Sequence, residues 1–120
     1  MLIVDAHLDL AWNALQWNRD LLRSAYTIRT QEVHTPGKAR ANGTVALPEL
    51  RQGRVALSFA TLLARSTGIP MPHIDYASPA QAYAVAQGQL AYYRALEQAG
   101  HVHIVVDRAG LDAQIGDWEA

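Results

Sequence analysis

Apolar residues run unbroken from Leu2 to Val4, after which the chain alternates, with Asp5, His7 and Asp9 polar and Ala6, Leu8 and Leu10 apolar. An apolar run passing into a period of two predicts a strand over residues 2–10 with Asp5, His7 and Asp9 on one face. A short helix is expected over residues 13–22. Across residues 23–44 the periodicity is lost and the breakers Pro36-Gly37 and Asn42-Gly43 appear. This predicts an unusually long connection, of the kind that forms a functional lid or stays disordered. Residues 48–52 suit one helical turn. Gly53 then precedes a nearly continuous apolar segment, residues 55–63, which reads as a strand buried on both faces.

Beyond a second breaker stretch, residues 68–72, lies the strongest helix signal. Ser78, Pro79 and Gln81 stand at the N-cap, N1 and N3 of a capping box, and Gly100 closes the segment. Tyr83, Ala86, Leu90 and Tyr93 recur at helical spacing and are expected to face the core rather than a cofactor. Residues 102–106 read as a short strand and residues 111–118 as a short helix. Strands alternating with helices define an α/β class with parallel strands. A closed eight-stranded barrel takes about 250 residues, so 120 residues form either a small open α/β sheet or part of a barrel. No repeat or internal boundary divides residues 1–120.

Composition narrows the chemistry. Half of the residues are hydrophobic and 18% charged, as in a folded globular chain. A net charge of -1, with ten scattered Lys and Arg, offers no footprint for nucleic acid or an anionic membrane. Cysteine is absent, which excludes disulfides, thiolate metal sites and a Cys nucleophile. Any metal must be held by His and carboxylates. The opening apolar run is too short for a signal-peptide core and no later run approaches a membrane span, so the expected compartment is the cytoplasm.

Two pairs have the spacing of strand-borne ligands: His7 with Asp9, and His101 with His103. On a strand, residues i and i+2 point the same way about 6 to 7 Å apart, close enough to converge on one ion. Imidazole and carboxylate are both zinc ligands. The spacing is weak by itself: five His and seven Asp predict roughly 0.3 His-x-Asp pairs by chance. Direction adds information. Parallel α/β folds place their sites at the carboxyl ends of strands, where His7 and Asp9 stand; His101 and His103 begin their run and read as solvated strand-start residues.

The string Asp5-Ala6-His7-Leu8-Asp9-Leu10-Ala11-Trp12 resembles the opening motif of the membrane (renal) dipeptidase family of zinc metallopeptidases, in the amidohydrolase superfamily. Leu47-Pro48-Glu49-Leu50-Arg51-Gln52-Gly53-Arg54-Val55 is similar to that family's approach to its second barrel strand, and the later elements follow the family's order. Ala6, Leu8 and Ala11 depart from the usual Gly, Asn and Pro; none is a ligand, and Leu8 leaves substrate preference open. The resemblance spans essentially the whole chain but about the first third of a family member.

It implies the amino-terminal part of a (β/α)8 barrel. His7 and Asp9 would be ligands of one ion in a two-zinc site, and the remaining ligands, including a bridging glutamate, would lie beyond Ala120. Glu119, in a helix-like tail, is not assigned. Dipeptides would be the substrates, hydrolysed by a metal-activated water. Trp12 reads as packing beneath the long loop before it reads as a wall of the site. The segment alone is expected to bind metal poorly, to be inactive, and to self-associate through uncovered apolar surface. The rival readings are another amidohydrolase, acting on a cyclic amide or deaminating a base, and a non-catalytic truncated interaction protein.

Overall fold

The opening apolar run does form a strand. In the computed structural model, which describes residues 1–69, 71–72 and 74–120, β1 (Ile3–Leu8) pairs in parallel with β2 (Val55–Ala60) as a two-stranded sheet. Pro70, within the expected breaker stretch, lies outside the described residues. Helices α1 (Leu10–Gln16), α2 (Ala25–Glu32) and α3 (Leu47–Gln52) connect the strands; α4 (Pro79–Gln98) and α5 (Arg108–Glu119) follow them. The result is a mixed α/β chain with a parallel strand pair. No helix among the described residues is long and apolar enough to cross a membrane.

Both elements at the start shift from their expected bounds. The strand stops at Leu8 because Asp9 turns the backbone (φ -86°, ψ 50°), and its carbonyl accepts the Asn13 N–H at 3.0 Å to open α1. The helix expected over residues 13–22 therefore begins at Leu10. It ends when Asn18 enters the left-handed region at φ 52°, a conformation that short polar side chains tolerate.

The long connection is not structureless, as its composition suggests, but carries α2. Ser24 caps this helix, its Oγ accepting the Thr27 N–H at 3.1 Å, and the Glu49 carboxylate takes the Ala25 N–H at 3.0 Å. The buried stripe of α2 is Ala25, Ile28 and Glu32, and the carboxylate in it disguises the helical period. Glu32 is buried because Arg19 meets it with two hydrogen bonds, Nε to Oε1 at 2.8 Å and Nη2 to Oε2 at 2.9 Å. Arg40 adds a third contact at 3.0 Å and the Ala41 N–H a fourth at 2.8 Å. The Arg19 hydrogen bonds come first among the causes that lower the Glu32 pKa to about 2. Both guanidinium groups also approach the Trp17 ring, that of Arg19 at 5.6 Å and that of Arg40 at 4.9 Å from its centroid.

Helix α4 realises both of its predicted ends. Ser78 Oγ accepts the Gln81 N–H, and the Gln81 side chain reaches back to the Ala77 N–H. At the other end Gly100 takes φ 75°, its N–H bonding the Glu97 carbonyl while the His101 N–H bonds that of Leu96, a Schellman closure. Its inner face differs from the expected one: Gln89, Tyr93 and Leu96 are buried, whereas Tyr83 is 68% exposed. The polar Gln89 conceals the true stripe.

The core lies among the helices. Leu10, Ala11 and Ala14 of α1, Leu21, Ala25 and Ile28, Ala46 and Leu47, and Tyr93 and Leu96 of α4 form one cluster. The strands are covered less completely. Strand β2, expected to be buried on both faces, is half-buried from Val55 to Ser58 and exposed at Phe59 and Ala60. Residues 102–106, expected as a strand, make no ladder. The Ile104 N–H is taken instead by the Glu97 carboxylate at 2.7 Å, and Val106 is 86% exposed. Helix α5 starts three residues before the expected position, because Asp107 caps it at Gly110 N–H, and it buries no residue.

Candidate metal centre

The two residues of the opening pair converge. His7 Nε2 stands 3.3 Å from Asp9 Oδ1. Two donors sharing a tetrahedral zinc at its usual bond lengths would be about 3.4 Å apart, so this separation fits an imidazole and a carboxylate on one ion. The His7 side chain is 72% exposed and that of Asp9 31%, which leaves the pair open to an incoming group.

The strand pleat does not by itself produce this convergence. Three residue steps on β1, from Asp5 to Leu8, oppose two on β2, from Ser58 to Ala60, and the irregularity includes His7. Such a bulge re-aims the side chains it carries. Asp5, expected on the same face, is engaged locally, its Oδ1 accepting the His7 N–H at 2.9 Å. Asp9 lies past the strand, and its Oδ1 accepts a hydrogen bond from the Thr61 hydroxyl. Thr61 is itself placed by its N–H, which donates to the Leu8 carbonyl at 3.0 Å.

Helix α4 braces this end of the sheet. The buried Tyr93 hydroxyl donates to the Thr61 carbonyl and accepts the Ala11 N–H, both at 3.0 Å. Burial raises its pKa, keeping the proton on the donor. One turn earlier the Gln89 amide grips both backbone groups of Leu63, accepting the N–H at 2.6 Å and donating to the carbonyl at 2.7 Å. Thr61, Tyr93 and Gln89 escape a reading that looks only for ligands. The signal for Thr61 is present: a hydroxyl just past an apolar strand run stands at the same end as His7 and Asp9.

His101 and His103 lie elsewhere. The His101 carbonyl accepts from Arg51 in α3, just before β2 begins, and His103 Nδ1 is 3.6 Å from Glu97. Trp12 packs edge-on against Trp17 with centroids 5.4 Å apart. Glu119 is the last residue of α5. Among the described residues no third His, Asp, Glu or Cys joins a group able to hold a metal. Comparison of the chain with protein-family models, with curated proteins and with solved structures returns no match.

Proposed function

We propose that this chain is the amino-terminal segment of a (β/α)8 zinc dipeptidase acting in the cytoplasm, and that His7 and Asp9 are two ligands of a two-ion site. The observation that carries the reading is the approach of His7 Nε2 to Asp9 Oδ1 at the carboxyl end of a parallel strand. The resemblance of residues 5–12 and 47–55 to the membrane dipeptidase family supplies the substrate class and the second ion. When bound, such ions polarise a carbonyl and lower the pKa of a water. In this reading His7 and Asp9 hold the metal while the rest of the ligand set comes from outside residues 1–120. One histidine and one aspartate are fewer than the three protein ligands of a catalytic zinc, so residues 1–120 alone are inactive and hold metal weakly.

The test uses the product of the complete reading frame. Asp9→Asn and His7→Ala should each lower bound zinc, measured by elemental analysis, and reduce dipeptide turnover by orders of magnitude. His101→Ala and His103→Ala should leave both unchanged. Full zinc in the Asp9 variant, or its loss in the His101 and His103 variants, would overturn the site. Turnover of cyclic amides in place of dipeptides would keep the site and replace the substrate.

A further inference from the structure

Asp9 is aimed by something other than its own strand. Strand β1 ends at Leu8, and Asp9 occupies the turn into α1 without using its side chain as a helix cap. A carboxylate in that position rotates freely unless another group holds it. The group in contact is the Thr61 hydroxyl, which donates to Oδ1, the same oxygen that faces His7 Nε2. A carboxylate oxygen has two lone pairs, so one can take this hydrogen bond while the other stays directed toward an ion. The Leu8 carbonyl, 3.4 Å from the same hydroxyl, already accepts the Thr61 N–H and competes weakly.

The backbone of Thr61 is held from two sides. Its N–H is bonded to Leu8 and its carbonyl to Tyr93, which also holds the Ala11 N–H two residues after Asp9. The hydroxyl is thus carried on a braced segment, and the helix that braces it also ties down the far side of the Asp9 turn. From this geometry we infer that Thr61 is a positioning residue for the metal ligand Asp9, donating to Oδ1 and fixing the carboxylate toward His7. The inference rests on the reading of His7 and Asp9 as ligands. A hydrogen-bond donor to a ligating carboxylate typically matters by roughly 10–100-fold in metal affinity.

The experiment titrates Co²⁺ into the metal-free product of the complete reading frame, reading its visible ligand-field absorption and dissociation constant. Thr61→Val keeps the shape of the side chain and both backbone hydrogen bonds but removes the hydroxyl. It should weaken Co²⁺ binding roughly 10–100-fold and change the absorption band, while Thr61→Ser restores both. Leu96→Ala, a core truncation outside the hydrogen bonds that hold Thr61 and Asp9, is the control for lost stability and should leave affinity and band unchanged. If Asp9→Asn abolishes binding but Thr61→Val binds like wild type, the positioning role is wrong and the metal site stands. If Leu96→Ala weakens binding as much as Thr61→Val, or Ser fails to restore it, the effect is structural and the inference falls. If the wild-type protein takes up no Co²⁺, the site and the inference fall together.

Discussion

Two regions beside the strand pair are built differently. Around α1, α2 and the Gln89–Tyr93 turn of α4, polar side chains are buried and answered: Arg19 and Glu32 meet in paired hydrogen bonds, Gln89 holds Leu63, and Tyr93 joins Ala11 to Thr61. Where β2 faces residues 101–105 the chain instead leaves an open flank, a cleft of about 720 Å³ lined by apolar side chains such as Leu57, Phe59, Val102 and Trp118 and reached by Tyr93, which residues 102–105 do not close with a ladder. Apolar content is ample on both. The difference teaches that apolar surface favours collapse without direction, whereas a buried hydrogen-bonded pair tolerates only one arrangement.

The candidate metal pair lies on the braced side. Its geometry depends on neighbours whose positions are specified by hydrogen bonds, which suits a site where an error of a fraction of an ångström in donor position matters. On the open flank the side-chain hydrogen bonds go to backbone groups, Arg51 donating to the His101 carbonyl and Glu97 accepting the Ile104 N–H.

The comparison can be broken most forcefully at Glu32. Glu32→Gln removes the one carboxylate between two guanidinium groups, leaving buried positive charge unanswered, and should destabilise the protein by about 3–5 kcal/mol in denaturant unfolding. A change below 1 kcal/mol would show that the cluster does not hold α2 against α1. Acid tests the same cluster with no mutation. Because the Glu32 pKa falls from 4.5 unfolded to about 2 folded, its contribution is fully present above pH 4.5 and is lost as the pH drops toward 2. By linkage this amounts to about 3 kcal/mol, and unfolding curves from pH 6 to pH 2 should lose that much more in the wild type than in Glu32→Gln.

A smaller effect is expected at Gln89. Replacing it by Met fills the volume but leaves the Leu63 N–H and carbonyl without their partner, at a cost of about 1–3 kcal/mol. Hydrogen exchange at the Leu63 amide should accelerate accordingly. Smallest in stability, and opposite in kind, is Phe59→Ser on the open flank. Phe59 is 68% exposed, so unfolding should move by no more than about 0.5 kcal/mol. Binding of a hydrophobic dye and self-association seen by sedimentation should both decrease, since the apolar surface that promotes them shrinks. Undiminished dye binding would place the exposed apolar surface elsewhere.

The sequence by itself determined the elements whose signals are local. The apolar run before Asp5 made β1, Gly53 and the apolar run after it made β2, and Ser78, Gln81 and Gly100 set both ends of α4, because a cap or a strand period needs only residues a few positions apart. It also singled out His7 and Asp9 as a pair from spacing and strand direction. Tertiary structure decided what depends on distant partners. Helix α2 hides its stripe because Glu32 is apolar in location but charged in chemistry, a contradiction that only Arg19, thirteen residues away, resolves. Residues 102–106 have strand-like composition, yet a strand exists only when a neighbour completes its ladder, and here Glu97 takes the Ile104 N–H instead. The same holds at the candidate site. Alternation placed His7 and Asp9 near each other, while the β1 irregularity and the Thr61 hydroxyl, fifty-two positions from Asp9, decided where their donor atoms point.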